Sequence, residues 1–364
     1  MSISELQMGL IGAGGVVVVG IFALNKWQER KQRKAAEALA NVGLQEPVVG
    51  EPAAPGADRL EPVIAGEAPP RPAPSEQELR DASARRVPPL LPPEVDERAD
   101  WVVRIESIES VVAGQFCHAA AQHLDGIGKP LRWFGFSDTD NRWEPLNPHG
   151  ASRYHWLCAA LQLVDRRGAA SEGELAQLAA GLQRVCDAFM AIPLLPARAE
   201  AVARGAALDQ FCAGVDIQIG VNVLARDRAL PGAKLSGLLQ TAGLELLGDG
   251  SFHARDDKGA TEFVFSNLEP VLFTAEGMRS MTTQGVTLIL DVPRVADGVR
   301  AFERMMKLAQ HVADALGGVV VDDNRSPLGD KAAGMIRSQI EQFQGQMAEH
   351  GIPAGSPLAL RLFA

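Results

Sequence analysis

Residues 285–323, GVTLILDVPRVADGVRAFERMMKLAQHVADALGGVVVDD, decide the fold. From Gly285 to Pro293 the apolar side chains alternate, with Val286, Leu288, Leu290 and Val292 on one face, the mark of a half-buried strand. Asp297 stands where a helix N-cap belongs, and Val299, Phe302, Met305, Ala309, Val312 and Leu316 then recur at the three- and four-residue spacing of an amphipathic helix. Gly317 and Gly318 end that helix, and Val319 to Val321 make a short buried strand. Strand, helix and strand each own one apolar face, so helices should cover a sheet on one side only.

The same pattern extends outward. In Val215 to Val223, Ile217, Ile219, Val221 and Val223 point one way, and Gln218, Gly220 and Asn222 the other. Leu235, Leu238, Leu239 and Ala242 mark a short helix stopped by Gly243. Strands are expected at Leu244 to His253 and around Phe263 to Phe265, and a last helix carries Ile336, Ile340, Phe343 and Met347. Residues 215–350 therefore read as an α+β domain, an antiparallel sheet with helices on one face and the other face bare. A bare face is either a binding surface or a solvated one. The apolar, alternating tail 351–364 is expected to add an edge strand or to dock in a groove, a sister molecule's groove included, which leaves a homodimer open.

Residues 99–214 run through similar steps. Trp101 to Glu106 alternates as a strand, a helix spans Val111 to His123, Leu131 to Asp140 and Tyr154 to Asp165 read as strands, and Ser171-Glu-Gly-Glu174 is a capping box. Its helix carries Leu175, Leu178, Leu182, Val185 and Phe189, and a final helix ends near Phe211. The expectation is a degenerate first copy of the same domain, so that two tandem copies follow one another.

The amino-terminal region is of another kind. Met8 to Leu24 is uncharged, at the lower limit for a spanning helix, and Lys26, Arg30, Lys31, Arg33 and Lys34 follow it. A signal peptide has the opposite order, charge first. The reading is one transmembrane anchor at 8–25, a short extracytoplasmic end at 1–7, a basic juxtamembrane segment at 26–34 and the bulk of the chain in the cytoplasm. Gly12 and Gly14 do not make a dinucleotide turn, because Val17 stands where the third glycine belongs and no strand precedes them. Residues 35–98 hold 12 of the 23 prolines, and read as a flexible tether that reaches roughly 200 Å when fully stretched. The bland reading of that tether is a spacer, and the functional one a proline-rich ligand.

A net charge of −10 makes nucleic acid a poor partner. Cys117, Cys158, Cys186 and Cys212 have neither C-x-x-C pairing nor zinc spacing. Asp322 and Asp323 follow a strand but lack a third ligand at a compelling spacing, and tandem acids there are commonly turn formers. Cys117 and His118 diverge on a helix, and no G-x-S-x-G elbow occurs. The chain reads as a binding protein without cofactor, metal or catalysis.

Thr282-Thr283, Gly285-Val-Thr287, Val292-Pro293, Ala309-Gln-His311, Ala313-Asp314 and Gly317 to Asp323 together resemble the carboxy-terminal domain of the ZipA cell-division family, more weakly from about residue 217 to 347. The anchor ending in Asn25 to Arg30 and the proline-rich tether also resemble that family. The resemblance implies a split β-α-β fold and a single-pass protein of the bacterial inner membrane at the division site. It further implies an adaptor that binds the carboxy-terminal tail of FtsZ across the bare sheet face and tethers the division ring. Carried over residue by residue, the groove falls on Gln218, Gly220, Asn222, Asp249, Ser251, Leu268 and Ile289. Only Leu268 and Ile289 are apolar, so a membrane-tethered scaffold of the same fold, with FtsZ binding lost and another partner gained, stands as the alternative.

Overall fold

The computed structural model describes residues 88–364. The expected anchor at 8–25, the expected basic segment at 26–34 and the expected tether up to residue 87 lie outside the described residues. Among the described residues, no helix is long and apolar enough to cross a membrane.

The first domain contains β1 (Asp100–Val112), α1 (Ala113–His123), β2 (Leu131–Ser137), β3 (Arg142–Pro145), β4 (Arg153–Gln162), the small hairpin β5 (Val164–Asp165) and β6 (Gly168–Ala169), α2 (Glu172–Ala188), β7 (Ala191–Leu194) and α3 (Arg198–Val215). Its five-stranded antiparallel sheet has the order β3-β2-β4-β1-β7. The capping box forms as expected: Ser171 Oγ accepts from the Glu174 amide at 3.2 Å, and Glu174 Oε2 accepts from the Ser171 amide at 2.8 Å.

The second domain contains β8 (Gln218–Ala225), β9 (Leu230–Pro231), α4 (Gly232–Thr241), β10 (Leu244–Leu246), β11 (Phe252–Arg255), β12 (Thr261–Asn267), β13 (Thr282–Thr283), β14 (Gly285–Asp291), α5 (Gly298–Leu316), β15 (Gly318–Val321) and α6 (Asp330–Glu349). A final short helix, α7, spans Pro357–Leu362. The sheet order is β10-β11-β12-β14-β8-β15, antiparallel throughout. Ile219, Val221 and Val223 join Val286, Leu288 and Leu290 and the rings of Phe252, Phe263 and Phe265 under α5, whose Phe302, Met305, Ala309 and Val312 are buried. Each of these side chains larger than alanine contributes about 1.5–3 kcal/mol by leaving water.

The two domains share three strands in one order, β4-β1-β7 against β14-β8-β15, with a helix leading from the first to the third in each. They part at the next strand. In the first domain the leading strand of a hairpin, β2, pairs with β4; in the second the last strand of a meander, β12, pairs with β14.

Two expectations need correction, and a third is narrowed. Leu244 to His253 is no single strand but two, β10 and β11, folded back at Gly248-Asp-Gly250, where Gly250 takes φ +75°. Of the two courses expected of the tail, the edge strand does not form and the tail docks within its own chain: Ser356 Oγ caps α7 by accepting from the Ala359 amide at 3.2 Å, and Leu362 and Phe363 sink into the first domain's core. Residues 89–95, expected as part of the tether, lie instead on the first domain's sheet, where Leu91 and Val95 pack on Val102, Phe134, Cys158 and Ala160.

Gly317 closes α5 in the left-handed region, φ +72°, with nothing within 4 Å of where a Cβ would stand. Gly317→Ala therefore isolates a backbone cost, expected at about 1 kcal/mol and read as a lower urea midpoint with unchanged m-value.

Candidate peptide-binding face

Alternation leaves one side of the second sheet facing away from the helices. Its central row runs His253, Val264, Ile289 and Gly220, residues set directly opposite one another across β11, β12, β14 and β8. A neighbouring row holds Ser266, Thr287, Asn222 and Val321. A third brings Leu268, Gly285, Leu224 and Val319 together, because the Leu268 amide donates to the Gly285 carbonyl at 3.1 Å and Gly285 pairs with Leu224. A Cβ on Gly285 would meet Leu224 Cδ2 at 2.9 Å and Leu268 Cδ2 at 3.0 Å, so the missing side chain lets the two leucines close over the strand. Beyond Leu268 the loop exposes Val271 and Leu272, the latter 67% accessible, as an apolar rim.

Asp323 reaches onto this face from the segment after β15. Its carboxylate accepts from Asn222 Nδ2 at 3.0 Å and stands over Gly220, where a Cβ would meet Oδ1 at 2.8 Å. Burial pushes the Asp323 carboxyl above its ordinary value, the Asn222 hydrogen bond opposes this, and the Asp322 charge adds to it. Asp322 shapes the turn by accepting from the amides of Asn324 and Ser326 at 2.9 and 2.8 Å. Gln218 lies at the lower end of the face, 3.4 Å from Asp291 Oδ2. There Arg166 of the first domain bridges Asp291 at 2.7 Å and Asp216 at 2.8 Å.

Of the seven expected positions, Gly220, Asn222 and Ile289 are gathered at the centre, Gln218 and Leu268 at either end. Ser251 precedes inward-facing Phe252 and so starts the outer side of β11. Asp249 belongs to the β10–β11 turn rather than to a strand, accepting from the Ser251 amide at 3.1 Å and pairing with His253 Nε2 at 2.8 Å. Among the described residues no group of three or more His, Cys, Asp or Glu side chains could hold a metal. Burial pushes the thiols of Cys158, Cys186 and Cys212 up to about 12, which keeps them protonated at neutral pH.

Comparison with known proteins falls on this same sheet. Residues 217–339 match the model of the ZipA C-terminal FtsZ-binding domain. The second domain is thus similar to the carboxy-terminal domain of ZipA proteins. The cell division protein ZipA of Marinobacter nauticus is 30% identical over 129 residues, which is 34% of this chain and 38% of the relative. ZipA of Shewanella loihica is 30% identical over 132 residues, 35% and 38% of the two chains, and ZipA of Vibrio cholerae is 31% identical over 123 residues, 32% and 42%. The matched stretch thus spans well under half of these ZipA proteins. It takes in the whole outer face from β8 to β15 and leaves the first domain outside.

Sequence reasoning missed Val264, Leu224, Val319 and Asp323. Leu224 was available by carrying the alternation of Gln218, Gly220 and Asn222 one step further. Val264 follows from reading β12 as a full strand with Phe263 and Phe265 inward. Asp323 had no such signal, since its place over Gly220 is a tertiary fact joining residues 101 apart from Asn222 onward.

Proposed function

We propose that the chain is a membrane-anchored cell-division adaptor whose second domain binds the carboxy-terminal tail of FtsZ on the outer face of the six-stranded sheet. The observation carrying this is the coincidence of the family match with an uncovered face holding Ile289, Val264, Leu224 and Leu268. An extended peptide laid there gains most from a few buried apolar anchors. The uncharged run at 8–25 followed by basic residues supports anchoring with the bulk of the chain cytoplasmic at the inner membrane. The first domain fits a degenerate copy of the second, given the common order of three strands and their helices, with its hairpin rearranged.

A specific observation favours a second reading. Asp323 and Asn222 place a hydrogen-bonded polar pair beside Gly220 on the face, which an apolar peptide would have to leave buried or displace. A scaffold of the same fold with a more polar partner accommodates that pair. Titrating the full chain in detergent with the FtsZ carboxy-terminal peptide of the same organism separates the two. The adaptor reading expects saturable binding with a dissociation constant on the order of micromolar, near −8 kcal/mol. No binding at several hundred micromolar by a folded chain would remove FtsZ as the partner.

A further inference from the structure

The outer face of the first domain's sheet is not bare. It carries Val102, Phe134, Cys158 and Ala160, and residues 89–95, Pro-Leu-Leu-Pro-Pro-Glu-Val, lie across it. Leu91 and Val95 supply the apolar contacts. The backbone is held by side chains of the sheet: Trp143 Nε1 donates to the Leu90 carbonyl, and Arg132 Nη1 donates to the Glu94 carbonyl at 2.8 Å. Trp143 itself stands edge-on to Phe136 at 5.4 Å between centroids. An indole N–H aimed at a carbonyl of a proline-rich strand, beside aromatic walls and an apolar floor, is the way pre-extended proline segments are recognised at low entropic cost. The face also holds more room than the segment fills. A groove of about 540 Å³ continues beside Leu91, lined by Val102, Arg104, Leu194 and Leu195, and Ile192 on β7 is 60% exposed.

We propose that the first domain is a proline-rich-peptide-binding module whose groove is filled in cis by residues 89–95 of the same chain. The proposal is independent of which partner the second domain binds. The amino-terminal region then serves as a ligand at its carboxyl end, and the groove opens to another extended peptide with the same Pro-Leu-Leu-Pro-Pro pattern only when the segment leaves. Magnitudes decide how firmly it stays. A segment joined directly to its own domain has an effective concentration of about 1 mM, so a ligand of about 100 µM intrinsic affinity holds the site about ten to one.

The test uses the full chain in detergent and a fluorescein-labelled peptide of residues 86–96, followed by anisotropy. Leu91→Asp with Val95→Asp releases the cis segment, and this chain is expected to bind the peptide saturably, at least tenfold more tightly than wild type does. Adding Trp143→Phe to the released chain should weaken that binding several-fold. Should the aspartates prevent folding, Leu91→Ala with Val95→Ala removes the same anchors without charge and carries the same expectation. A folded, released chain that fails to bind at 1 mM peptide, or a wild-type chain that binds equally well, overturns the proposal. A wild-type block that disappears on dilution overturns the cis assignment, because the occupant would then be a second copy's segment.

Discussion

Truncating Phe363 to alanine is expected to cost about 3–5 kcal/mol, although the residue is next to last in the sequence. Its ring is 1% exposed and lies in the first domain's core with Leu362 and Ala359, whereas the chain leading to it leaves the second domain through α6. The neighbourhood is held from several sides. Arg361 reaches the buried Asp100 carboxylate at 3.1 Å, Gln162 Nε2 donates to the Arg361 carbonyl at 2.9 Å, and the Arg166 guanidinium sits 6.0 Å above the Phe363 ring. Alanine would leave a cavity that this network prevents from collapsing, which places the cost towards the upper half of the range. For a folded unit of this size such a loss lowers the melting temperature by roughly 6–20 °C. Calorimetry of the variant checks this, and a fall of under 2 °C would mean the ring is not in that core. Leu360→Ala is the control, since Leu360 lies on the same short helix with its side chain 38% exposed, and a change within about 0.5 kcal/mol is expected. The tail makes the first domain's stability depend on the last residues of the second.

Legibility in the sequence followed the strength of local periodicity. β14, α5 and β15 were readable almost to the residue, because Val286, Leu288 and Leu290 alternate and Phe302, Met305, Ala309 and Val312 form a helical stripe bounded by Asp297 and Gly317. β7 was unreadable: four residues, one of them Pro193, carry too little pattern. The tail misled because Leu358, Leu360 and Leu362 alternate like a strand, while the stronger cue was Ser356 followed by Pro357 at the first helical position. The β10–β11 fold-back hid between Leu244 and His253, where its signal was Gly248-Asp-Gly250. For the candidate site, alternation on β8 and β14 set Gly220, Asn222 and Ile289 on one face. It could not say that Asp323 would fill the space Gly220 leaves, nor that residues 89–95 would cover the corresponding face of the first sheet, since both depend on packing between distant segments.

If the second domain binds the FtsZ tail as proposed, Ile289→Asp is expected to weaken that binding at least 30-fold, about 2 kcal/mol or more, with little loss of fold. Ile289 is flanked by Val264 on β12 and Gly220 on β8, so it is the apolar residue nearest the middle of the uncovered face. Its side chain points away from the core formed by Leu288 and Leu290, and the substitution therefore leaves the packing under α5 untouched. The new carboxylate would stand one strand from Asp323, which already lies over Gly220, and two like charges across a half-buried strand repel. An apolar peptide would lose its anchor and meet two charges it cannot pair. Leu268→Asp should act in the same direction by a smaller amount, because Leu268 lies at the rim beside exposed Val271 and Leu272. Asp323→Ala gives the opposite expectation: it removes the charge and uncovers the floor at Gly220, so apolar peptide binding should tighten. Anisotropy titration of these variants against the labelled FtsZ peptide reads all three. If the wild-type chain binds and Ile289→Asp binds equally well, the peptide docks elsewhere, and the second sheet's outer face is not the site.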